Sequence, residues 1–202
     1  MSAGPATLRL FSALELPAPV LARLRAVITA LQAEAPRGSV RWARPEGLHL
    51  TLQFYGEVAA ARVPALPAAL AQVAAAAGPL TLDLAGLGAF PNPARARVLW
   101  VGVGGEVAAL GGLQRAVEAA GRPFGFQPDE RGFHPHLTLG RVNQPLRPAD
   151  QARLAEVLVR TPAPPAAPFT VAEWSLMRSE LRPGGSVYTR LSAAPLSGGR
   201  NA

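Results

Sequence analysis

The sequence His-Leu-Thr-Leu occurs twice, at 49–52 and at 136–139, in a chain of 202 residues that has three histidines. Both copies lie in runs in which polar and apolar residues alternate, as in a β-strand with one buried face. In such a strand the histidine and the threonine share one face and the leucines fill the other. Packing alone would require only the leucines. The repeated polar face therefore predicts a functional site assembled from both halves of the chain.

The residue types on that face indicate phosphoester chemistry. An imidazole has an unperturbed pKa of ~6.5, so near neutral pH one ring can donate a proton while another accepts one. The predicted catalytic residues are His49, Thr51, His136 and Thr138, with the two hydroxyls bound to phosphate oxygens. A single motif of this kind is usually structural, because threonine is common in strands for steric reasons. The duplication favours the catalytic interpretation.

The composition excludes several other mechanisms. The chain has no cysteine, and all 20 basic residues are arginine. Disulfides, thiolate catalysis, Schiff bases and a lysyl-adenylate ligase are therefore ruled out. A Walker-type nucleotide loop is also impossible because it requires lysine. The net charge of +7 favours a polyanionic partner.

Hydrophobic periodicity predicts an α+β fold of mainly antiparallel sheet, because helices are separated by pairs of strands. The predicted strands cover 7–16, 40–44, 48–55, 80–84, 98–103, 136–142, 169–177 and 187–193. The predicted helices cover 17–31, 63–77, 106–120 and 148–160. Residues 86–97 are predicted to bend or loop, since they include Pro-Asn-Pro.

The two motifs and their flanks resemble those of the two-histidine (2H) phosphoesterase superfamily. They are most similar to its bacterial RNA 2′,3′-cyclic phosphodiesterase branch, historically called 2′-5′ RNA ligase. The resemblance covers about residues 8–196 and rests on flanks at 40–49, 54–58, 133–136 and 140–142 and on a closing segment at 176–188.

This resemblance implies two pseudo-symmetric lobes with helices outside and a central cleft. It implies one bilobal domain over 1–196, followed by a loose tail at 197–202. The implied activity is hydrolysis of RNA 2′,3′-cyclic phosphate ends to 2′-phosphates, without metal or cofactor, and weak ATP-independent 2′-5′ ligation in reverse. His49 is the implied proton donor and His136 the acceptor, although the residues alone do not separate these roles.

Five further residues are candidates for substrate binding. Arg141 follows the second motif and is expected on the face of His136 and Thr138, in contact with a phosphate. Tyr188 is a candidate by resemblance only. The aromatic rings of Trp42 and Phe54 are candidates for base stacking, as is that of Phe133. His134 is expected at the rim.

Two alternatives remain at this stage. His49, His134 and His136 could bind a metal ion, or the chain could be an RNA-binding module without catalytic activity. The N-terminus has no signal-peptide pattern, and the uncharged stretch 63–82 is interrupted by prolines and glycine. We therefore expect a cytoplasmic protein without membrane association. We also expect it to be a monomer.

Overall fold

Two antiparallel sheets, with helices packed around them, form the protein. The computed structural model describes residues 6–130, 132–182 and 185–199. The strands are β1 (Thr7–Glu15), β2 (Val40–Trp42), β3 (His49–Ala59), β4 (Leu80–Phe90), β5 (Val98–Gly105), β6 (His136–Val142), β7 (Phe169–Val171), β8 (Glu173–Arg182) and β9 (Gly185–Pro195). The α-helices are α1 (Ala18–Glu34), α2 (Leu66–Ala76), α3 (Val107–Gly121) and α4 (Pro148–Arg160). The predicted α+β class is confirmed.

The two sheets repeat one another in strand order. One sheet follows β3-β1-β8-β9 and the other β2-β6-β5-β4-β7, so the histidine strand β3 corresponds to β6 and β1 corresponds to β5. In the second sheet β2 covers the outer edge of β6. The histidine strands contact each other across the two lobes. The predicted pseudo-symmetric arrangement is therefore present.

The segments that precede the histidine strands cross to the opposite lobe. β2 precedes β3 in the chain but pairs with β6. Phe126, which precedes β6, packs on Tyr55 of β3 with 4.6 Å between ring centroids. Nearby, the side-chain amide of Gln53 donates to the carbonyl of Gln127 at 3.4 Å. Each lobe thus contains chain from the other half, so the lobes do not coincide with the sequence halves.

The leucines of both motifs lie in the shared core. Leu50 and Leu52 are 1% and 3% exposed, and Leu137 and Leu139 are fully buried. The predicted assignment of the two strand faces is confirmed, because the histidines and threonines between these leucines stay partly exposed. Burial of this face fixes the register of each histidine strand, since a slip of one residue would expose every leucine.

Several predicted element boundaries were wrong, among them those of β4, of the strand 169–177 and of the second helix. β4 continues to Phe90 through the predicted bend, because Gly86 adopts a φ of 65° and forms a bulge that keeps the strand paired with β5. The predicted strand 169–177 divides at Ala172 into β7 and β8, which belong to different sheets. The second helix begins at Leu66, after a 3₁₀ segment that contains Pro64.

Two sequence predictions concern the chain ends and membranes. None of the helices in the described ranges is long and apolar enough to cross a membrane.

The predicted loose tail at 197–202 is described only to residue 199. Gly198 donates a hydrogen bond to the carbonyl of Ala77 at 3.0 Å, while residues 200–202 lie outside the described residues. The domain limit at residue 196 stays a prediction.

Candidate active site

Each histidine strand carries a β-bulge at the second leucine of its motif. The pairing of β3 with β1 skips Leu52, and the pairing of β6 with β5 skips Leu139. An extra residue reverses the alternation of the side chains that follow it. Phe54 and Arg141, each three residues after a motif threonine, therefore line the same cavity as the threonines. Arg141 reaches its predicted side through this bulge. Strict alternation from Thr138 would place Arg141 on the face of the leucines, so the bulge is what brings it to the side of the threonine.

Both imidazoles are held by the same local hydrogen bond. The Nδ1–H of His49 donates to the carbonyl of Gly47 at 2.7 Å, and that of His136 donates to the carbonyl of His134 at 2.6 Å. Because a carbonyl only accepts, Nδ1 of each ring carries the hydrogen. The Nε2 of each ring is then the atom that accepts a proton in the neutral form and donates one in the charged form.

Aromatic rings fix the planes of the two imidazoles. Phe11 stacks on His49 at 4.5 Å between centroids, and Tyr188 contacts the same ring edge-on at 4.9 Å. Phe90 contacts His136 edge-on at 4.9 Å, and Trp100 lies 6.5 Å from it. Such packing restricts the rotamers of both histidines and so preorganises Nε2.

Burial lowers the pKa of both imidazoles below the usual value for histidine, because a low-dielectric environment disfavours the charged ring. The hydrogen bonds to the carbonyls act in the opposite direction. The neighbouring charges differ between the two sites. Glu15, which lies opposite His49 in the β1–β3 pairing, raises the pKa of His49. Arg141 and His134 lower the pKa of His136.

A cavity of about 500 Å³ opens between the two sheets beside these strands. The lining residues with hydroxyl groups are Thr51, Thr138, Ser179, Ser186 and Tyr188. The lining arginines are Arg9, Arg41, Arg44 and Arg141. No aspartate or glutamate is among the described residues that line the cavity. The cavity thus offers cationic and hydroxyl groups, which are the groups that bind phosphate.

The structure brings nearly all predicted site residues to this cavity. The lining includes His49, Thr51, Thr138, Arg141, Tyr188, Phe54 and Trp42. His136 is not in the lining but lies two residues before Thr138 on β6. Phe133 packs against the core instead, so its predicted stacking on a base is not supported.

Several contributors to the site were missed in the sequence, among them Phe11, Arg9 and Arg41. Phe11 stacks on His49, and Arg9 lies over the ring of the half-exposed Phe54 at 4.7 Å. Both come from β1, and only the pairing of β1 with β3 places them at the site. Arg41 enters the cavity because β2 crosses to β6. Arg9 and Phe11 are two residues apart, so the sequence does indicate that they share one face of β1. It does not show which strand pairs with β1, and so it does not place them beside His49.

The alternative metal site is not formed. Among the described residues, no group of three or more histidine, aspartate or glutamate side chains is placed to hold a metal ion. His134 is exposed, and its carbonyl rather than its ring contacts His136. The three histidines therefore do not converge as metal ligands.

A cleft to which each of two lobes contributes a His-x-Thr strand defines the two-histidine phosphoesterase class. The family model described as LigT like Phosphoesterase matches residues 14–100 and again 102–188, one match for each motif. The chain belongs to this LigT-like phosphoesterase family. This membership argues against a module without catalytic activity.

Individual relatives agree with the family assignment. A Methanothermobacter thermautotrophicus protein named RNA 2′,3′-cyclic phosphodiesterase is 35% identical over 150 residues, which are 74% of this chain and 79% of the relative. The structure of the Thermus thermophilus protein TT0787 superimposes with a TM-score of 0.78 at 30% identity, covering 95% of this chain and 99% of that one. The structure of E. coli LigT complexed with 3′-AMP gives a TM-score of 0.73 at 26% identity, with the same coverage.

Proposed function

We propose that the protein hydrolyses 2′,3′-cyclic phosphate ends of RNA to terminal 2′-phosphates by acid–base catalysis with His49 and His136. The observation that carries this proposal is the matched pair of Nδ1-anchored imidazoles, each with a threonine two residues later. The relatives named RNA 2′,3′-cyclic phosphodiesterase support the choice of substrate.

The reaction requires one proton transfer at each side of the phosphorus. The neutral ring removes a proton from water at its Nε2 as the water oxygen attacks the phosphorus. The bond from phosphorus to the ribose 3′-oxygen breaks, and the charged ring protonates that oxygen from its own Nε2. Each general acid or base contributes a factor of roughly 10²–10⁴ to the rate. One imidazole must therefore be neutral and the other protonated in the reactive enzyme.

The surrounding charges favour His49 as the acid and His136 as the base. Glu15 stabilises a positive charge on His49. Its carboxylate is itself held by the hydroxyl of Ser175 at 2.5 Å and by Arg190 at 3.3 Å. Arg141 disfavours a positive charge on His136 and so favours the neutral ring that accepts a proton. Burial is the largest cause at both rings and lowers both pKa values, so it is the difference in neighbouring charge that supports the assignment implied by the family resemblance.

The hydroxyls of Thr51 and Thr138 complete the proposed machinery. Neither forms a hydrogen bond within the described part of the chain, and both line the cavity. They are therefore available to donate to the non-bridging phosphate oxygens and to stabilise the charge that develops there. Arg141 supplies a further charge-assisted contact to a phosphate of the RNA. The two hydroxyls and the protonated imidazole balance the charge at the reacting phosphate, so the proposed mechanism requires no metal ion.

The same site would support ligation. A 5′-hydroxyl that takes the place of water would attack the same phosphorus and form a 2′-5′ linkage, with the protons transferred by the same rings. The strained cyclic diester supplies the driving force, so no ATP is needed.

An assay with defined RNA tests the proposed function. Purified protein treated with excess EDTA, without ATP, is incubated with an oligoribonucleotide that ends in a 2′,3′-cyclic phosphate. We expect full hydrolysis and a 2′-phosphate product, identified by chromatography against both isomers. Loss of activity on chelation, with recovery on addition of zinc or manganese, would contradict the metal-independent mechanism.

A further inference from the structure

Two arginines in the cavity face each other directly across a strand pair. Arg41 of β2 is the register partner of Arg141 of β6. Directly opposed residues in an antiparallel pair have Cβ atoms about 4.5–5.5 Å apart. Both side chains line the cavity and both are exposed.

This arrangement is unfavourable unless an anion lies between the two side chains. Like charges that are directly opposite each other destabilise a strand pair. Within the described ranges, neither Arg41 nor Arg141 forms an ion pair with a carboxylate. The described lining of the cavity also contains no acidic residue. The missing countercharge is therefore expected from a ligand.

The position of the arginine pair indicates which phosphate it meets. Arg141 lies three residues beyond Thr138 along β6, at most about 10 Å at the rise of a strand and less across the bulge at Leu139. This separation places the arginine pair to one side of the threonine that is proposed to bind the reacting phosphate, where a neighbouring group of the substrate would lie. An RNA with a cyclic phosphate at its 3′ end continues only through the 5′-oxygen of the terminal nucleoside. The next phosphate of the substrate is thus the 5′ phosphodiester of that nucleoside.

We propose that Arg41, together with Arg141, binds the phosphodiester on the 5′ side of the terminal nucleoside, so that the enzyme prefers oligonucleotide ends to mononucleoside cyclic phosphates. This inference rests on the proposed function, because it assumes that the cyclic phosphate lies between His49 and His136. The planar guanidinium of arginine is suited to this contact, since it binds phosphate oxygens through two parallel N–H groups.

The alternative assignment places Arg41 on the reacting phosphate itself. In that case Arg41 would act equally on a mononucleotide and on an oligonucleotide. The two assignments are separated by substrates that differ only in the 5′ phosphodiester. Suitable probes are uridine 2′,3′-cyclic phosphate, the dinucleotide UpU with a 2′,3′-cyclic phosphate, and the same dinucleotide with a neutral methylphosphonate as its internal linkage.

The experiment compares kcat/KM for the three probes in the unmodified protein and in Arg41→Gln. We expect the unmodified protein to prefer the charged dinucleotide by about 10-fold or more, the size expected of a charge-assisted contact. The methylphosphonate should remove this preference. Arg41→Gln should lower kcat/KM for the charged dinucleotide about 10-fold more than for the mononucleotide. For the methylphosphonate dinucleotide, kcat/KM should be nearly the same in Arg41→Gln as in the unmodified protein.

Arg115→Gln is the matched control, because Arg115 is exposed on α3, outside the described cavity lining, and its loss changes the net charge equally. This variant should retain the dinucleotide preference. Arg41→Gln should not lower the melting temperature, since it relieves repulsion with Arg141. Equal losses on mononucleotide and dinucleotide would overturn the inference in favour of the reacting phosphate. If the unmodified protein cleaves none of the probes, the proposed function itself fails.

Discussion

Replacement of Thr51 or Thr138 by valine separates the chemistry of the site from the stability of the fold. Valine keeps the β-branched shape that suits a strand and removes only the hydroxyl. Both hydroxyls line the cavity, and neither forms a hydrogen bond within the described residues. The substitution therefore leaves no buried partner unsatisfied, and the fold should keep its stability.

The threonine variants should lose catalytic efficiency, whereas the leucine variants should lose unfolding free energy. A hydrogen bond to a charged phosphate contributes about 1.5–3 kcal/mol, which corresponds to about one to two decades in kcat/KM. Leu50 and Leu137 are 1% and 0% exposed, so Leu→Ala at either position should cost about 2–5 kcal/mol of unfolding free energy. In a protein of 150–250 residues, each kcal/mol lowers the melting temperature by about 2–4 °C.

The assay measures the melting temperature and kcat/KM, per folded molecule, for Thr51→Val, Thr138→Val, Leu50→Ala and Leu137→Ala. The valine variants should lose activity at an unchanged melting temperature. The alanine variants should melt early while their folded fraction turns over almost normally. The opposite distribution, with unstable valine variants and stable but inactive alanine variants, would refute the placement of the catalytic groups on this face of the strands.

Two further predictions concern the imidazoles. Each of the single variants His49→Ala and His136→Ala should lower kcat by roughly 10²–10⁴-fold with little change in binding. The double variant should have a kcat only slightly lower than either single variant. Near-full activity in a single variant would show that the histidine it lacks is structural. Glu15→Gln should lower the pKa of His49, because it removes the charge that raises it. If His49 is the acid, the alkaline decline of kcat/KM then begins at a lower pH while the acidic decline stays in place; movement of the acidic decline alone would reverse the two roles.

Much of the site could be predicted because its signal is local. The alternation within each motif indicates a strand and divides its faces, and burial of Leu50 and Leu137 follows from that pattern. The duplication then indicates that two such strands share one cleft. These inferences need only the sequence around each histidine, so they do not depend on how the distant segments pair.

The remaining features depend on long-range pairing, which the sequence encodes only weakly. β2 is followed directly by β3 in the chain, and nothing in its three residues shows that it pairs with β6 instead. The bulges at Leu52 and Leu139 are visible only when the register with the neighbouring strand is known. For the same reason, the contacts of Phe11 and Arg41 in the site could not be predicted.

The residue opposite each histidine explains how a repeated scaffold can hold two rings with different roles. His49 faces Glu15 across the β1–β3 pair, whereas His136 faces Gly102 across the β5–β6 pair. A side chain at Gly102 would meet the carbonyl oxygen of Ala85 at 2.3 Å, so β5 has no room for a carboxylate at the corresponding position. Among the described residues, a carboxylate therefore supports a positive charge on His49, and none is recorded as doing so for His136. If His49 is the acid and His136 the base, this difference lies in the strands beside the motifs and not in the motifs themselves.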